Sequence, residues 1–196
     1  MFLVIEGPNG VGKSTVAAAL VSGLTALLGP QTPVLATAEP SGSPLGQAAR
    51  AMEPELSGPA LAMACAADRL HHVAAEIEPA LARGAWVVSD RYVPSSLVLQ
   101  RLDGMDLAAI WALNENARRP DLTVYLLDDP QTIAARLATR QRRSRLEASA
   151  TPALELAFYA DAERFLADQR WRQLAIDCHD REPEQIAGEI MAAAIS

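Results

Sequence analysis

The amino-acid sequence predicts an α/β fold in which a parallel β-sheet is covered by helices on both faces. Short apolar runs alternate along the chain with longer segments that repeat apolar residues at helical spacing. Alternation of this kind is typical of parallel sheets. A glycine-rich segment, residues 7–14, lies between the first apolar run and the first helical segment, and this junction is where such sheets bind ligands.

The glycine-rich segment fits the phosphate-binding pattern G-x-x-x-x-G-K-[ST] at every fixed position. Its glycines let successive backbone N–H groups converge on a phosphate, Lys13 adds a positive charge, and Ser14 offers a hydroxyl to Mg²⁺. A simple glycine turn would explain neither the Lys-Ser pair nor the strand-to-helix placement, so we predict that the segment binds ATP. The predicted ATP contacts are Gly7, Pro8, Asn9, Gly10, Val11, Gly12, Lys13, Ser14 and Thr15.

Five strands are predicted, each a short apolar or β-branched run bounded by turn-forming residues. They cover residues 2–5, 33–37, 85–89, 122–127 and 174–177. Asp90 directly follows the third strand, so we expect it at the same edge of the sheet as the phosphate-binding loop.

Helices are predicted between the strands, where apolar residues recur at helical spacing between proline and glycine signals. They cover residues 16–28, 45–52, 59–83 with a bend at Pro79, 95–101, 107–118, 130–140, 152–169 and the segment from 183 onward. These elements predict a three-layer P-loop NTPase fold with a parallel five-stranded sheet. No repeat or linker interrupts the 196 residues, so a single domain is expected.

Composition narrows the classes of function. The net charge of −7 argues against a general nucleic-acid binder. Cys65 and Cys178 are too few and too far apart for a disulfide framework or a zinc site, which favours a reducing compartment. The first residues contain no basic signal region, and no apolar run approaches the roughly 20 residues that span a bilayer. A cytoplasmic location without a membrane partner is therefore expected.

Several short motifs occur in the order and spacing that they have in thymidylate kinases. They are the phosphate-binding loop, Glu39-Pro40, Ala67-Asp68-Arg69, Asp90-Arg91-Tyr92 with Ser95 and Ser96, residues 119–123, and Arg145-Leu146-Glu147. Over essentially its whole length the chain resembles this family. It resembles in particular the bacterial members, whose catalytic arginines lie in a lid segment. The resemblance implies ATP- and Mg²⁺-dependent phosphorylation of a nucleoside monophosphate, dTMP to dTDP, by an enzyme that is usually a homodimer.

The resemblance also implies roles for the residues around the phosphates. Asp90 is expected to reach the Mg²⁺ together with Ser14. Arg91 resembles the family arginine that grips the acceptor phosphate, a task that suits its planar fork of donors. A monophosphate has a second pKa of about 6, so its oxygen is already a nucleophile at neutral pH and no general base is required.

An arginine-rich segment at about residues 140–150 corresponds to the family's lid. Arg140, Arg142, Arg143 and Arg145 lie within six residues, and like charges so close repel one another unless an anion arrives. Family members with glycine at the position of Gly10 tend to place catalytic arginine in the lid. Arg145 aligns best with that arginine, and Arg140 and Arg143 are expected to share the work.

On the acceptor side the resemblance is partial. Arg69 matches the arginine that hydrogen-bonds the thymine ring, and Arg50 matches a second acceptor arginine. The other predicted substrate contacts are Asn9, Glu39, Cys65, Arg91, Ser95, Ser96 and Leu99. Four positions differ from the family pattern. Cys65 stands where the family has a phenylalanine that stacks on the base, and Asn9 stands where it has a carboxylate near the sugar 3′-hydroxyl. Leu99 replaces a tyrosine of some bacterial members, and Ala38 replaces an arginine.

These differences leave several hypotheses open. Met63, Trp111 or Tyr92 could rebuild a thymidylate pocket, or the enzyme could phosphorylate a different or modified nucleotide on the same scaffold. A P-loop nucleotide-binding switch without acceptor phosphorylation is an alternative from another class, although Asp90-Arg91 and the arginine-rich segment argue against it. A P-loop kinase of a non-nucleotide metabolite is a third, against which Arg69 counts weakly.

Overall fold

The structure is a computed structural model that describes residues 1–139 and 145–196. In these ranges five strands form one sheet in the order β2-β3-β1-β4-β5, and every neighbouring pair is parallel. The strands are β1 (Phe2–Glu6), β2 (Val34–Ala38), β3 (Trp86–Asp90), β4 (Leu122–Leu127) and β5 (Gln173–Asp177). The predicted five-stranded parallel sheet is confirmed.

Helices flank the sheet in the order that the sequence predicts, except that the short helix α8 was not predicted. They are α1 (Lys13–Leu28), α2 (Pro44–Met52), α3 (Gly58–His72), α4 (Glu78–Ala82), α5 (Val93–Leu102), α6 (Leu107–Asn114), α7 (Pro130–Ala138), α8 (Arg145–Ser149), α9 (Pro152–Asp168) and α10 (Pro183–Ile195). Most boundaries fall within a few residues of prediction. The helix expected over 107–118 ends at Asn114, whose side-chain amide donates to the carbonyl of Ile110.

The long helix predicted over residues 59–83 consists of three consecutive segments. A π-helical turn, Val73–Ile77, joins α3 to α4, and the N–H of Glu78 bonds to the carbonyl of Val73. Pro79 follows, and proline supplies no N–H for an α-helical hydrogen bond. The wider turn therefore lies where a regular α-helix would lose a bond.

Two apolar layers cover the sheet, and β1 contributes to both because successive side chains of a strand point to opposite faces. Leu3 and Ile5 pack with residues of α1 and α10. Phe2 and Val4 pack with residues of α5 and α9. A central strand buried on both faces explains why the sequence of β1 is a continuous apolar run instead of an alternating one.

The carboxyl ends of the parallel strands bring the polar loops to one edge of the sheet. The phosphate-binding loop follows β1, and Asp90 ends the neighbouring β3, paired in register with Ile5. The backbone N–H of Arg91 donates to the carbonyl of Ile5 at 3.0 Å, and that of Glu39 donates to the carbonyl of Asp90 at 3.0 Å. Loops that are distant in sequence thereby meet at a single edge.

Candidate active site

The phosphate-binding loop depends on glycine for both its conformation and its space. Gly7, Gly10 and Gly12 have φ values of 139°, 86° and 110°, a region that side-chain-bearing residues rarely adopt. A Cβ atom at Gly7 would lie 2.5 Å from the carbonyl oxygen of Leu126. The Lys13 ammonium donates to the carbonyls of Gly7 and Pro8, each at 2.8 Å, so it also holds the turn of the loop.

Lys13 is almost wholly enclosed, with 6% of its surface exposed. Burial, followed by the nearby charge of Arg91, lowers the pKa of Lys13 to about 7. An incoming phosphate would oppose both effects. The lysine is therefore suited to gain a full charge when an anion binds.

Ser14 and Asp90 form a pair of oxygen groups next to the loop. The Ser14 hydroxyl donates to Oδ2 of Asp90 at 2.5 Å, while Asp90 Oδ1 is buried and has no hydrogen-bond partner among the residues described. A buried, unpartnered carboxylate oxygen beside a hydroxyl suits Mg²⁺, which takes one or two protein oxygens and completes its shell with phosphates and water. The predicted metal residues are thus adjacent and fit the ion.

Arg91 lies beside these groups in a small cavity. This space of about 280 Å³, the phosphate cavity hereafter, is lined by the phosphate-binding loop, Asp90 and Arg91. The Arg91 guanidinium donates to Oγ of Ser95 at 3.1 Å and to Oδ1 of Asn9 at 2.5 Å. Its backbone has φ of 75°, in the left-handed region that residues with a side chain rarely adopt.

Glu6 organises the turn after Arg91 and is a residue that the sequence reasoning missed. It is fully buried at the end of β1, and its carboxylate accepts hydrogen bonds from the backbone N–H of Tyr92 at 2.7 Å and from the Ser95 hydroxyl at 2.6 Å. Burial raises the pKa of this carboxyl despite those bonds. The available signal was an acidic residue directly between an apolar strand and the loop.

A second cavity of about 280 Å³ opens on the other side of Asn9 and Arg91. Its remaining lining includes three of the predicted substrate residues, Arg50, Cys65 and Leu99. A narrower space of about 50 Å³ continues from it toward Arg69. These two spaces, the acceptor cavity hereafter, therefore gather Arg50, Cys65, Arg69 and Leu99 as the sequence predicts.

Arg69 is held rigidly at the inner end of the acceptor cavity. Its Nε donates to Glu39 at 2.7 Å, and its terminal nitrogens donate to the carbonyl of Tyr92 at 3.1 Å, the hydroxyl of Ser96 at 3.0 Å and the side chain of Asn114. This network explains why Glu39 and Ser96 belong to the site: they orient the arginine.

Gln100 is a further residue of the acceptor cavity that the sequence reasoning missed. It is buried, lines both parts of the cavity and has an Oε1 atom without a hydrogen-bond partner among the described residues. Its Nε2 lies 4.0 Å from Sγ of Cys65. An amide so placed can donate and accept at the edge of a base. A glutamine directly after the apolar run of residues 97–99 was the available signal.

The lid arginines are only partly described. Arg140 and Arg143 lie outside the described residues. Arg145 begins α8, and its guanidinium donates to both carboxylate oxygens of Asp103 at 2.5 and 2.9 Å and to the carbonyl of Leu56 at 2.8 Å. The next residue, Leu146, lines the acceptor cavity. The structure thus places Arg145 on the acceptor side, paired with Asp103, and its catalytic role stays a prediction.

A third cavity, of about 640 Å³, adjoins the phosphate-binding loop on the side opposite the acceptor cavity. Arg136 of α7 and the segment after β5 line it together with Gly10, Gly12 and Thr15. Asp128 connects its walls, since Oδ2 accepts from Arg136 at 2.8 Å and Oδ1 lies 3.2 Å from Nδ1 of His179. We call this space the donor cavity. The sequence reasoning did not single out any of these three side chains.

Known proteins resemble the chain over most of its length. Residues 5–175 match the family model described as thymidylate kinase. The chain is 38% identical to the thymidylate kinase of Leifsonia xyli subsp. xyli over 97% of its own length and 92% of that protein. It is 37% identical to that of Synechococcus sp. strain RCC307, with 96% and 92% covered.

A solved structure has the same fold. The crystal structure of thymidylate kinase from Ehrlichia chaffeensis superposes with a TM-score of 0.75, at 23% identity, and the match covers 100% of this chain and 98% of that one. At such identity the likeness shows the three-layer α/β architecture alone. The family model and the sequence relatives are more specific, and from them it follows that this chain belongs to the thymidylate kinase family, whose members are phosphotransferases.

Proposed function

We propose that the chain transfers the γ-phosphate of ATP to dTMP and so forms ADP and dTDP. The observation that carries this proposal is the position of Asn9 and Arg91, which line both the phosphate cavity and the acceptor cavity. Two ligands bound on either side of these residues would bring their phosphates together. The names of the sequence relatives support dTMP as the acceptor.

Positioning and charge neutralisation account for the chemistry. The acceptor phosphate has a second pKa of about 6, so at neutral pH one of its oxygens can form the new P–O bond while the bond between the γ-phosphorus and the β-bridging oxygen breaks. Arg91 would hold the acceptor phosphate, and Lys13 would balance charge on the β- and γ-phosphates. Mg²⁺, held by Ser14 and Asp90, would neutralise further charge on the donor phosphates.

The donor nucleotide would place its base in the donor cavity. Arg136 presents a planar cation there and also reaches the carbonyl of Val11 in the phosphate-binding loop, at 3.4 Å. Guanidinium planes stack well on aromatic bases. The donor cavity therefore offers a base contact at the same time as α1 presents its N-terminus to the phosphates.

A second candidate acceptor is a nucleotide with a different or modified base, and one observation favours it. Cys65 is a small side chain that leaves the cavity open beside Leu61 and Gln100, where a stacking phenylalanine of the family would contribute about 1 to 3 kcal/mol. Arg69, Ser96 and Gln100 still offer polar groups for a pyrimidine edge, which is why we favour dTMP.

A panel of acceptors distinguishes these two candidates. ADP release from ATP and Mg²⁺ is measured with dTMP, dUMP, UMP, the cytidylates and the purine monophosphates. We expect the highest kcat/KM with dTMP. A clear preference for another monophosphate would replace dTMP by that acceptor, and the variant Cys65→Phe should then move the preference back toward dTMP.

We also propose that the enzyme is a homodimer. Met63 and Leu70 of α3 are 57% and 44% exposed, and residues seven positions apart share one helix face. A second copy would cover these side chains. Analytical ultracentrifugation should give twice the monomer mass, and Met63→Glu combined with Leu70→Glu should reduce it to one monomer; a monomeric wild type would contradict the proposal.

The location of the enzyme is proposed to be the cytoplasm. Cys65 and Cys178 are both free, as expected for a protein of a reducing compartment. In the part of the chain that the structure describes, every helix is too short or too polar to span a bilayer.

A further inference from the structure

A buried carboxylate beside the phosphate-binding loop has no part in the mechanism above. Glu155 stands near the start of α9, and only 1% of its surface is exposed. Its Oε2 accepts hydrogen bonds from the backbone N–H of Asn9 at 2.9 Å and from Asn9 Nδ2 at 3.2 Å, and its Oε1 accepts from Nδ2 at 3.3 Å. A carboxylate is costly to bury unless it is hydrogen-bonded and its charge is compensated, so Glu155 needs both from its neighbours.

Glu155 is one of several groups whose charge acts on two cations of the site, Lys13 and Arg91. Burial and the charge of Arg91 lower the pKa of Lys13, whereas Glu155, with Asp90 and Glu6, opposes that fall. The pKa of Arg91 is raised although burial opposes the rise, and Glu155 is one of the groups responsible. Glu155 therefore belongs electrostatically to the phosphate site, although it stands behind the loop.

The chemistry of its neighbours shows how Glu155 acts on Arg91. An ionised carboxylate only accepts hydrogen bonds and a guanidinium only donates them. Asn9 lies between the two, so its amide can satisfy both in one orientation alone, with Nδ2 toward Glu155 and Oδ1 toward Arg91, as observed. A neutral side chain at position 155 would allow either orientation.

We propose that Glu155 is a positioning residue for Arg91, acting through the amide of Asn9. It supplies from α9 the negative charge that the phosphate-binding loop lacks at Asn9, and it keeps the Asn9 oxygen directed at the guanidinium. The proposal rests on the proposed function only in assigning Arg91 to the acceptor phosphate.

A charge exchange between the two positions tests the proposal. Four proteins are compared: the wild type, Glu155→Gln, Asn9→Asp, and the double variant Asn9→Asp/Glu155→Gln. Glu163→Gln on the same helix is the matched control, because it removes the same charge away from the site. kcat and KM are measured with each substrate varied in turn.

We expect Glu155→Gln to lower kcat/KM for the acceptor by about 10- to 100-fold, as loss of a supporting group typically does, with little change in the KM for ATP. Asn9→Asp should be impaired because two carboxylates then face each other. The double variant restores one carboxylate and one amide, so we expect it to recover to within about threefold of wild type. The proposal is overturned if the losses of the two single variants simply multiply in the double variant, or if Glu155→Gln is fully active.

A second readout does not depend on turnover. In Asn9→Asp two carboxylates replace the hydrogen bonds that join the Asn9 amide to Glu155, and like charges in contact repel each other, so its melting temperature should lie below that of the wild type. The double variant restores one carboxylate and one amide, and it should regain most of that loss. A double variant as destabilised as Asn9→Asp would contradict the proposal, whether or not dTMP is the acceptor.

Discussion

Lys13 and Arg91 are two cations held largely out of water in one small cavity. Burial and the charge of Arg91 disfavour the charged form of Lys13, and a nucleotide phosphate opposes both effects at once. At the scale of single residues the site is therefore prepared for phosphate before the substrate arrives.

Removal of either cation should reduce turnover far more than stability. We expect Lys13→Ala and Arg91→Ala each to lower kcat by about 10²- to 10³-fold, the range found when one group that stabilises transition-state charge is lost. Steady-state kinetics with circular dichroism as the test of folding measure the effect. Arg83→Ala, which removes an exposed arginine, is the control. Near-normal turnover in either variant would exclude that residue from the mechanism.

The lowered pKa of Lys13 predicts proton uptake when ATP binds. With a pKa of about 7, the amine is mostly neutral at pH 8, and the phosphates should raise this pKa so that the lysine gains its proton. Titration calorimetry at pH 8 in buffers of different ionisation enthalpy should show uptake approaching about one proton per ATP. The same uptake in Lys13→Met would assign the proton to another group.

At the scale of elements, the carboxyl ends of the strands determine which side chains meet. Asp128 follows β4 and His179 follows β5, and these two neighbouring strands bring the side chains to 3.2 Å from each other. Arg136 of α7 completes this cluster on the wall of the donor cavity. The buried carboxylate therefore ties two loops and a helix together.

Asp128→Asn should weaken donor binding selectively. An amide in place of the carboxylate loses the charge-assisted hydrogen bond to Arg136, so we expect the KM for ATP to rise by about tenfold, a typical cost when a supporting group is lost, while the KM for the acceptor stays within about twofold. Initial rates with each substrate varied measure both constants. A rise in the acceptor KM alone would show that the cluster serves the other cavity.

Predictability from sequence differed between the elements and the side chains. The strands were predicted because each is a short apolar run between turn residues, and β1 is apolar on both faces. The ends of α3 and α6 were less predictable, since the π-helical turn before Pro79 and the contacts of Asn114 depend on neighbouring elements.

The residues of the site likewise differ in how far the sequence predicts them. The phosphate-binding loop, Asp90 and Arg91 carry local patterns and were predicted to lie together, as they do. Glu6 and Gln100 each stand next to an apolar run, but the roles of Glu6, Gln100 and Glu155 depend on burial against distant segments. Arg145 was predicted to be a catalytic lid arginine because it aligns with one in the family. Its observed partner, Asp103, lies 42 positions away in the sequence.

At the scale of the whole molecule, the phosphate cavity lies between two other cavities at one sheet edge. It shares Asn9 and Arg91 with the acceptor cavity, and Gly10, Gly12 and Thr15 with the donor cavity. The cavity proposed for the donor is lined by α7 and the loop after β5, and the cavity proposed for the acceptor is lined by α2, α3 and α5. This geometry favours transfer between two bound nucleotides over transfer from ATP to water.

Phosphorus NMR of a mixture of ATP, Mg²⁺ and dTMP tests this account most directly, because it follows donor and acceptor products in the same sample. We predict that dTDP and ADP appear in equal amounts, with inorganic phosphate far below either, and that omission of dTMP nearly stops ADP formation. ADP accompanied by an equal amount of inorganic phosphate, with dTMP unchanged, would contradict phosphoryl transfer between the two cavities.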